Sequence, residues 1–141
     1  MYLGETFGVE TKLYPAPGTK RGEAMKWITW ANVTLGEAIA RFGRNPQSYY
    51  PDDQKNAKQG EAAKADIQKH LVVLDGALAD REYLLGTYSL ADTHMTSLLD
   101  WLRHMNVVDF TQLGHLNAWS DRCCQRPAYQ KMKAAMSSQP G

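Results

Sequence analysis

Ser89 and Asp92 stand three positions apart at the head of an apolar run, where a hydroxyl and a carboxylate could act as a nucleophile and its partner. The same spacing suits a capping box, in which Ser89 accepts from the backbone N–H of residue 92 and Asp92 accepts from that of residue 89. No histidine stands at a sequence spacing that would activate Ser89. We therefore interpret the pair as a structural cap that starts a helix at Leu90, worth on the order of 1 kcal/mol.

Histidine and cysteine are the other reactive side chains, and neither has the spacing of a metal or redox site. No two of the four histidines are four positions apart, so we expect no metal site. The adjacent Cys123 and Cys124 suit a structural disulfide poorly. Arg122 and Arg126 are basic neighbours that could activate a thiol, but we expect both cysteines to be reduced, with one packed as a small apolar side chain.

Composition indicates one globular domain without a polyanion-binding surface. The 141 residues are 43% hydrophobic and 22% charged, which is enough apolar material for a core. A net charge of +1 from well-mixed charges gives no footprint for nucleic acid or an anionic membrane. The longest aliphatic run, residues 71–74, is far too short to span a membrane, and the first residues lack signal-peptide character. We expect neither partner, and a cytoplasmic location.

Helical periodicity without strand-like alternation predicts an all-α helical bundle. Thr19 is placed to cap a helix over about 20–43, and Asp52 or Asp53 to start one that ends near residue 79. The helix from Leu90 carries apolar residues on several faces, so we expect it to be surrounded. A further helix is predicted over about 113–125, and a last one begins at Pro127.

The first 18 residues are predicted to hold no long element. Gly8 is placed to stop a short helical piece, and residues 13–18 contain two prolines and a glycine, which are typical of a linker. Beyond them, Trp27 and Trp30 lie beside the apolar stripe of the first long helix, with Thr34 on the side of Trp30.

Several motifs appear in a fixed order along the chain: Tyr83-Leu84-Leu85-Gly86, Tyr88-Ser89-Leu90-Ala91-Asp92, Leu99-Asp100-Trp101, Trp119 and Arg126-Pro127-Ala128. This order resembles the C-terminal domain of the glutathione S-transferase superfamily, over nearly the whole chain. Two departures are Gly114, where the superfamily commonly has proline, and Thr93, which offers the ring of Tyr88 only a methyl group as a hydrophobic staple.

The resemblance implies a division of the chain. Residues 1–8 correspond to the end of the last helix of a thioredoxin-like N-terminal domain that is absent from this sequence, residues 9–18 to the interdomain linker and 19–141 to the C-terminal helical domain. It also implies that glutathione is the co-substrate of the parent enzyme. The residues that activate its thiolate belong to the missing domain, so this chain has no catalytic residue of its own.

The resemblance further implies that the first long helix lines the cleft for the apolar co-substrate. Trp27, Trp30 and Thr34 are then candidates for the hydrophobic substrate pocket, although both tryptophans could instead pack against the missing domain or a second subunit of a homodimer. We expect the chain alone to lack conjugating activity.

Two alternatives stay open. The chain could be a stand-alone interaction module, as similar helical domains are in the gamma subunit of the eukaryotic elongation factor and in synthetase complexes, which predicts an exposed apolar patch around Trp27 and Trp30. The parent could also be a thiol-dependent reductase or isomerase, since the distinguishing residue would lie upstream.

Overall fold

The computed structural model describes residues 2–46 and 50–138, and this part of the chain is an all-α bundle without strands. A short π-helical piece, Gly4–Gly8, comes first, and a single 3-10 turn, Asp52–Gln54, precedes the third helix. The α-helices are α1 (Thr19–Trp30), α2 (Gly36–Phe42), α3 (Ala57–Ala77), α4 (Leu90–His104), α5 (Gly114–Cys124) and α6 (Pro127–Ser137).

Helices α1 and α2 are two parts of one helical stretch, joined by the π-helical segment Ala31–Leu35. This agrees with the single helix predicted over about 20–43, but its start differs. Gly18 is the N-cap, with φ 144°, and Thr19 is the first helical residue and makes no side-chain cap. The cap prediction for Thr19 was wrong because the chain turns into the helix through a backbone conformation that glycine adopts readily.

Helix α3 begins later than predicted. Asn56 is its N-cap and accepts a hydrogen bond of 3.0 Å from the backbone N–H of Gln59. Asp52 and Asp53 belong instead to the preceding 3-10 turn, which Lys55 ends in an extended conformation. Since Lys55 also pairs with Asp52 at 2.8 Å, Asp52 contributes to this turn and not to the helix start.

Helix α4 lies at the centre of the packing, against both α1 and α5. Met95, Leu99 and Leu102 are buried along it. However, Trp101 is 40% exposed and Met105 is 51% exposed. The expectation that this helix is surrounded holds for the faces that α1 and α5 cover. It is wrong for the side with Trp101 and Met105, which is exposed.

Helices α5 and α6 differ in how much they bury. Leu116, Trp119 and Cys123 of α5 are inside the core, as their spacing predicts. Helix α6 starts at Pro127 as predicted, but it has no buried residue, and Met132 is 43% exposed. Its side with Met132 and Met136 is therefore not covered by the described residues.

The N-terminal segment reverses later than Gly8. Val9 is still helical, and the turn occurs at Lys12, with φ 58°, where the N–H of Leu13 bonds to the carbonyl of Gly8 at 2.8 Å. That pattern is a Schellman motif. Gly8 is needed for a different reason from the predicted stop, because a Cβ there would lie 2.6 Å from the Cβ of Tyr14.

The linker predicted at residues 13–18 contributes to the core. Tyr14 is 1% exposed and belongs to the main hydrophobic cluster. The carbonyl of Leu13 accepts a 2.7 Å hydrogen bond from the N–H of Leu90, the first residue of α4. This segment is thus fixed to the centre of the bundle.

Candidate functional site

The carboxylate of Asp92 is the most heavily bonded side chain of the buried interior. Its Oδ2 accepts from the backbone N–H and the hydroxyl of Ser89, both at 2.9 Å, and the capping box is present. Its Oδ1 accepts from the N–H of Leu84 at 2.9 Å and from Nε1 of Trp119 at 2.8 Å. With Asp92 0% exposed and these acceptor positions filled, the group supports the fold and is unsuited to proton transfer.

The staple position next to this cap carries a polar contact. The hydroxyl of Tyr88 and Oγ1 of Thr93 are 3.0 Å apart and share a hydrogen bond. A hydrogen bond therefore takes the place of the apolar contact that usually joins these two positions. The guanidinium carbon of Arg126 lies 3.6 Å from the centroid of the Tyr88 ring, in a cation–π contact.

Trp27 and Trp30 form the start of an aromatic row across α1 and α3. Their ring centroids are 5.7 Å apart with an edge-on geometry, and Trp30 meets the ring of His70 edge-on at 6.0 Å. Trp27 is only 8% exposed, and its buried Nε1 has no hydrogen-bond partner among the described residues. Trp30 is half-buried, so of this pair it has more ring surface available to a ligand or partner.

Thr34 is half-buried and lies one turn beyond Trp30, inside the π-helical segment Ala31–Leu35. The wider turn ends with the N–H of Gly36 bonded to the carbonyl of Ala31. Short π-helical segments within α-helices occur frequently at functional sites. The sequence alone gave no signal for this change of helical period.

On the neighbouring turn, a charged network joins α2 to α3. Arg41 pairs with Glu37 at 2.7 Å and with Asp66 at 2.9 Å. The hydrogen bond from Arg41 lowers the pKa of the Asp66 carboxyl, so that carboxyl stays ionised near neutral pH.

Arg21 of α1 holds the N-terminal segment in place. Its Nη1 donates to Oε2 of Glu5 at 2.6 Å, and its Nε donates to the carbonyl of Pro15 at 2.8 Å. The same guanidinium lies 5.0 Å from the centroid of the Tyr14 ring. One side chain thus ties the first segment and the connector to the helical bundle.

The two cysteines have different surroundings. Cys123 is 1% exposed, and burial raises the pKa of its thiol to about 12, so it remains a neutral thiol at physiological pH. Cys124 is half-buried, and both cysteines are free. Cys123 is therefore the small apolar side chain that the sequence leads one to expect.

Metal and membrane sites were searched for over residues 2–46 and 50–138. Histidine, cysteine and acidic side chains form no cluster there that could hold a metal ion. None of the helices in that range has both the length and the apolar character needed to cross a bilayer.

Sequence reasoning missed two of the residues that organise this region. Tyr14 was hidden in a proline-rich stretch that is typical of a linker, and its bulky ring directly before Pro15 was the available signal. The burial of Trp119 follows from the spacing of α5, but its hydrogen bond to Asp92 was missed. That bond joins residues 27 positions apart, and no local sequence pattern predicts such a contact.

Comparison with known proteins gives a consistent result. Residues 36–127 match the family described as glutathione S-transferase, C-terminal domain. The chain is 28% identical over 124 residues to the probable glutathione S-transferase parC of Nicotiana tabacum, covering 84% of this chain and 52% of that protein. The chain thus spans about half the length of this curated relative.

Solved structures show the same fold. A glutathione transferase from Methylococcus capsulatus is 26% identical, with a TM-score of 0.78 over 94% of this chain and 63% of its own. The glutathione transferase URE2P6 of Phanerochaete chrysosporium, solved with oxidized glutathione, has a TM-score of 0.84 at 20% identity, over 96% of this chain and 63% of its own. Since the family match covers more than half of the residues, the chain belongs to the glutathione S-transferase C-terminal domain family.

Proposed function

We propose that this chain forms the helical half of a glutathione S-transferase whose other half is a thioredoxin-like domain. In this enzyme glutathione is the co-substrate, and the helical half supplies the apolar side of the pocket for an electrophile. The residues that activate the thiolate of glutathione belong to the other half, so the 141-residue chain alone does not catalyse conjugation.

The distribution of apolar surface on the N-terminal segment carries this proposal. Gly4 and Gly8 are buried against the bundle, whereas Tyr2, Leu3 and Phe7 are 75%, 69% and 58% exposed. A segment that is fixed on one side and apolar on the other is suited to pack against a further domain. Burial of three such side chains would contribute on the order of 5 kcal/mol to that contact.

The aromatic row supports the role in substrate binding. Trp30 keeps accessible surface, and Thr34 offers a hydroxyl beside it on the π-helical segment. An apolar wall with one or two polar groups is the usual composition of a small-molecule site. Trp27 packs behind Trp30 and holds its ring in position. Trp30 and Thr34 are therefore the proposed contacts, with Trp27 in support.

Two further features belong to the proposal. We propose a homodimer, in which half-buried and exposed positions of α1 and α3 contribute to the interface. The exposed Val33, on the π-helical segment that follows α1, and the exposed Val72 of α3 are apolar positions there. We also place the protein in the cytoplasm, where the free thiols of Cys123 and Cys124 remain reduced.

A chimera tests the proposal. The 141-residue chain alone is assayed with glutathione and 1-chloro-2,4-dinitrobenzene, and then again after fusion to the thioredoxin-like domain of the Methylococcus capsulatus relative. We expect no conjugation by the chain alone and measurable conjugation by the fusion. Within the fusion, Trp30→Ala should raise the KM for the electrophile on the order of 10-fold, with little effect on the KM for glutathione.

Trp101→Ala is the matched control, since Trp101 is a partly exposed tryptophan on the outer side of α4. It should leave both KM values unchanged. Robust conjugation by the chain alone would contradict the proposal, and so would equal effects of Trp30→Ala and Trp101→Ala. An inactive fusion, together with a stable complex between the chain and another protein, would favour the stand-alone interaction module.

A further inference from the structure

Arg21, in the first turn of α1, is bonded at two points to the chain that precedes that helix. Its Nη1 donates to Oε2 of Glu5 at 2.6 Å, and its Nε donates to the carbonyl of Pro15 at 2.8 Å. The Arg21 side chain is 16% exposed and that of Glu5 is 46% exposed. Because the donors of a guanidinium are arranged as a rigid fork, two such bonds fix the directions of both acceptors. Arg21 therefore sets the orientation of the N-terminal segment relative to α1.

The ring of Tyr14 fills the space between Arg21 and this segment. The guanidinium carbon lies 5.0 Å from the centroid of the ring, and Tyr14 is 1% exposed. On the other side, a Cβ at Gly4 would lie 3.3 Å from Cγ of Tyr14, and one at Gly8 would lie 2.6 Å from its Cβ. The segment, the ring and the guanidinium thus form one closely packed layer. Such a layer resists rotation of the segment better than an ion pair alone, since packed groups yield little.

A second attachment joins the same part of the chain to α4. The N–H of Leu90, the first residue of α4, donates to the carbonyl of Leu13 at 2.7 Å. A Cβ at Gly4 would lie 2.7 Å from Cδ1 of Leu90, so the segment contacts that side chain directly. Arg21 and Leu90 belong to different helices. Attachment at both helices fixes an orientation that a single attachment would leave free to swing.

The outer side of the segment carries the exposed Tyr2, Leu3 and Phe7, which the proposed function assigns to the contact with the thioredoxin-like half. That half, which binds glutathione in the proposed enzyme, is therefore carried on a segment whose orientation Arg21 sets. Along α1, Trp30 follows Arg21 by nine positions, a distance of about 14 Å along the helix axis. One helix thus holds both the attachment of the segment and the proposed wall of the electrophile pocket.

We propose that Arg21 is a positioning residue for conjugation. By fixing the segment that carries the thioredoxin-like half, it keeps the thiolate of glutathione at a set distance from the electrophile on the aromatic row. The inference rests on the proposed function and adds a residue to it. Arg21 acts through the segment and not by contact with either substrate. Two reactants react fastest in a fixed relative geometry, and a small misplacement caused far from the reacting atoms is costly.

Residual dipolar couplings test this role without an assay of conjugation. The fusion of the 141-residue chain with the thioredoxin-like domain of the Methylococcus capsulatus relative is labelled with ¹⁵N and weakly aligned. The amide couplings of the two halves are then fitted separately. We expect one common alignment tensor in the parent fusion and two different tensors in Arg21→Gln. Different tensors in the parent, or a common tensor in Arg21→Gln, would overturn the proposal.

Arg41→Gln is the matched control for the couplings. Arg41 also forms two short ion pairs, at 2.7 and 2.9 Å, but these lie within α2 and between α2 and α3. Its substitution should therefore keep the common tensor. Two tensors in both variants would show that the loss of any such ion pair loosens the fusion, which would also overturn the specific role of Arg21.

Steady-state kinetics of the same fusion give a second readout. Arg21→Gln should lower kcat with 1-chloro-2,4-dinitrobenzene by about 10-fold and leave the KM for glutathione within about two-fold of the parent value. Arg21→Lys keeps a charge for Glu5 but lacks the fork that also reaches Pro15, so its kcat should lie between the two.

The kinetic outcome separates this inference from the proposed function. Equal kcat values of Arg21→Gln and Arg41→Gln would contradict the positioning role, and so would an effect confined to the KM for glutathione. A parent fusion that does not conjugate contradicts the proposed function instead, and the couplings still decide whether Arg21 fixes the two halves.

Discussion

The indole Nε1 of Trp119 donates a 2.8 Å hydrogen bond to Oδ1 of Asp92, and both side chains are 0% exposed. The same oxygen accepts from the backbone N–H of Leu84. One carboxylate therefore joins α5, α4 and the loop that precedes α4. Because each donor would be left buried without an acceptor if the carboxylate were lost, the effects of substitutions here should be large.

Asp92→Asn should lower the free energy of unfolding by about 2–4 kcal/mol, because the amide has one acceptor oxygen where the carboxylate has two. Urea denaturation followed by circular dichroism measures the change. Asp121→Asn is the control, since Asp121 is exposed on α5 and the change there should stay within about 0.5 kcal/mol. Similar losses in the two variants would show that the buried bonds are not the cause.

Lys12→Gly should stabilise the chain by about 0.5–1 kcal/mol. Lys12 is in the left-handed region with φ 58°, where a Cβ is disfavoured and glycine is not. Glu61→Gly, at an exposed position inside α3, should instead destabilise by about 1 kcal/mol. Opposite signs in thermal denaturation are the expected outcome, and a loss of stability in both variants would contradict the backbone argument.

Stability should fall with pH above about 9 because of Cys123. Burial raises the pKa of its thiol from 9.0 to about 12, so between these values the unfolded chain releases a proton that the folded chain keeps. The free energy of unfolding then decreases as pH rises, by at most about 1.4 kcal/mol per pH unit from this group. Urea titrations at several alkaline pH values should show a shallower slope for Cys123→Ala than for the parent.

Cys124→Ala is the matched variant for that experiment, and its slope should stay closer to that of the parent than the slope of Cys123→Ala does. Comparing slopes, not absolute stabilities, removes the effect of the cavity that Cys123→Ala leaves. Burial, with contacts to Asp100 and Cys124, also raises the pKa of Tyr129, which contributes in the same direction, so Cys124→Ala removes only part of that contribution. Identical slopes in all three proteins would exclude Cys123 as the titrating group.

Arg21→Ala should loosen the N-terminal segment without unfolding the bundle. The substitution removes the bonds to Glu5 and Pro15 and the contact with the Tyr14 ring. Amide hydrogen exchange of residues 4–14 should become faster, while exchange in α4 stays as in the parent. Lys20→Ala, at the exposed neighbouring position, should change neither region. Faster exchange throughout the chain would indicate general destabilisation instead.

Much of the helical framework could be predicted from the sequence, because it depends on local signals. The capping pair Ser89 and Asp92 starts α4 where the pattern indicates, and Pro127 begins α6. Boundaries that depend on backbone conformation were less accessible. The N-cap of α1 is Gly18, whereas the sequence predicted Thr19. The N-cap of α3 is Asn56, whereas the sequence predicted a start at Asp52 or Asp53.

The candidate site could be predicted only in part, because its geometry depends on contacts between distant residues. The sequence placed Trp27 and Trp30 side by side, but it could not show that Trp27 faces the interior, where its Nε1 has no hydrogen-bond partner among the described residues. The concave surface that Lys64, Arg103 and residues 106–111 line was not predicted at all. The orientation of the Arg103 side chain there depends on Asn117 of the next helix and on Phe110 of the intervening turn.

The close packing of Gly4 and Gly8 sets a limit on how this protein can exchange parts with its relatives. A Cβ at Gly4 would lie 2.7 Å from Cδ1 of Leu90, and one at Gly8 would lie 2.6 Å from the Cβ of Tyr14. A recombination junction placed at the prolines near residue 15 would disturb this fit wherever the other parent carries a larger residue than glycine at these two positions. Breakpoints upstream of Gly4 preserve the fit, so gene shuffling within the family should succeed there more often.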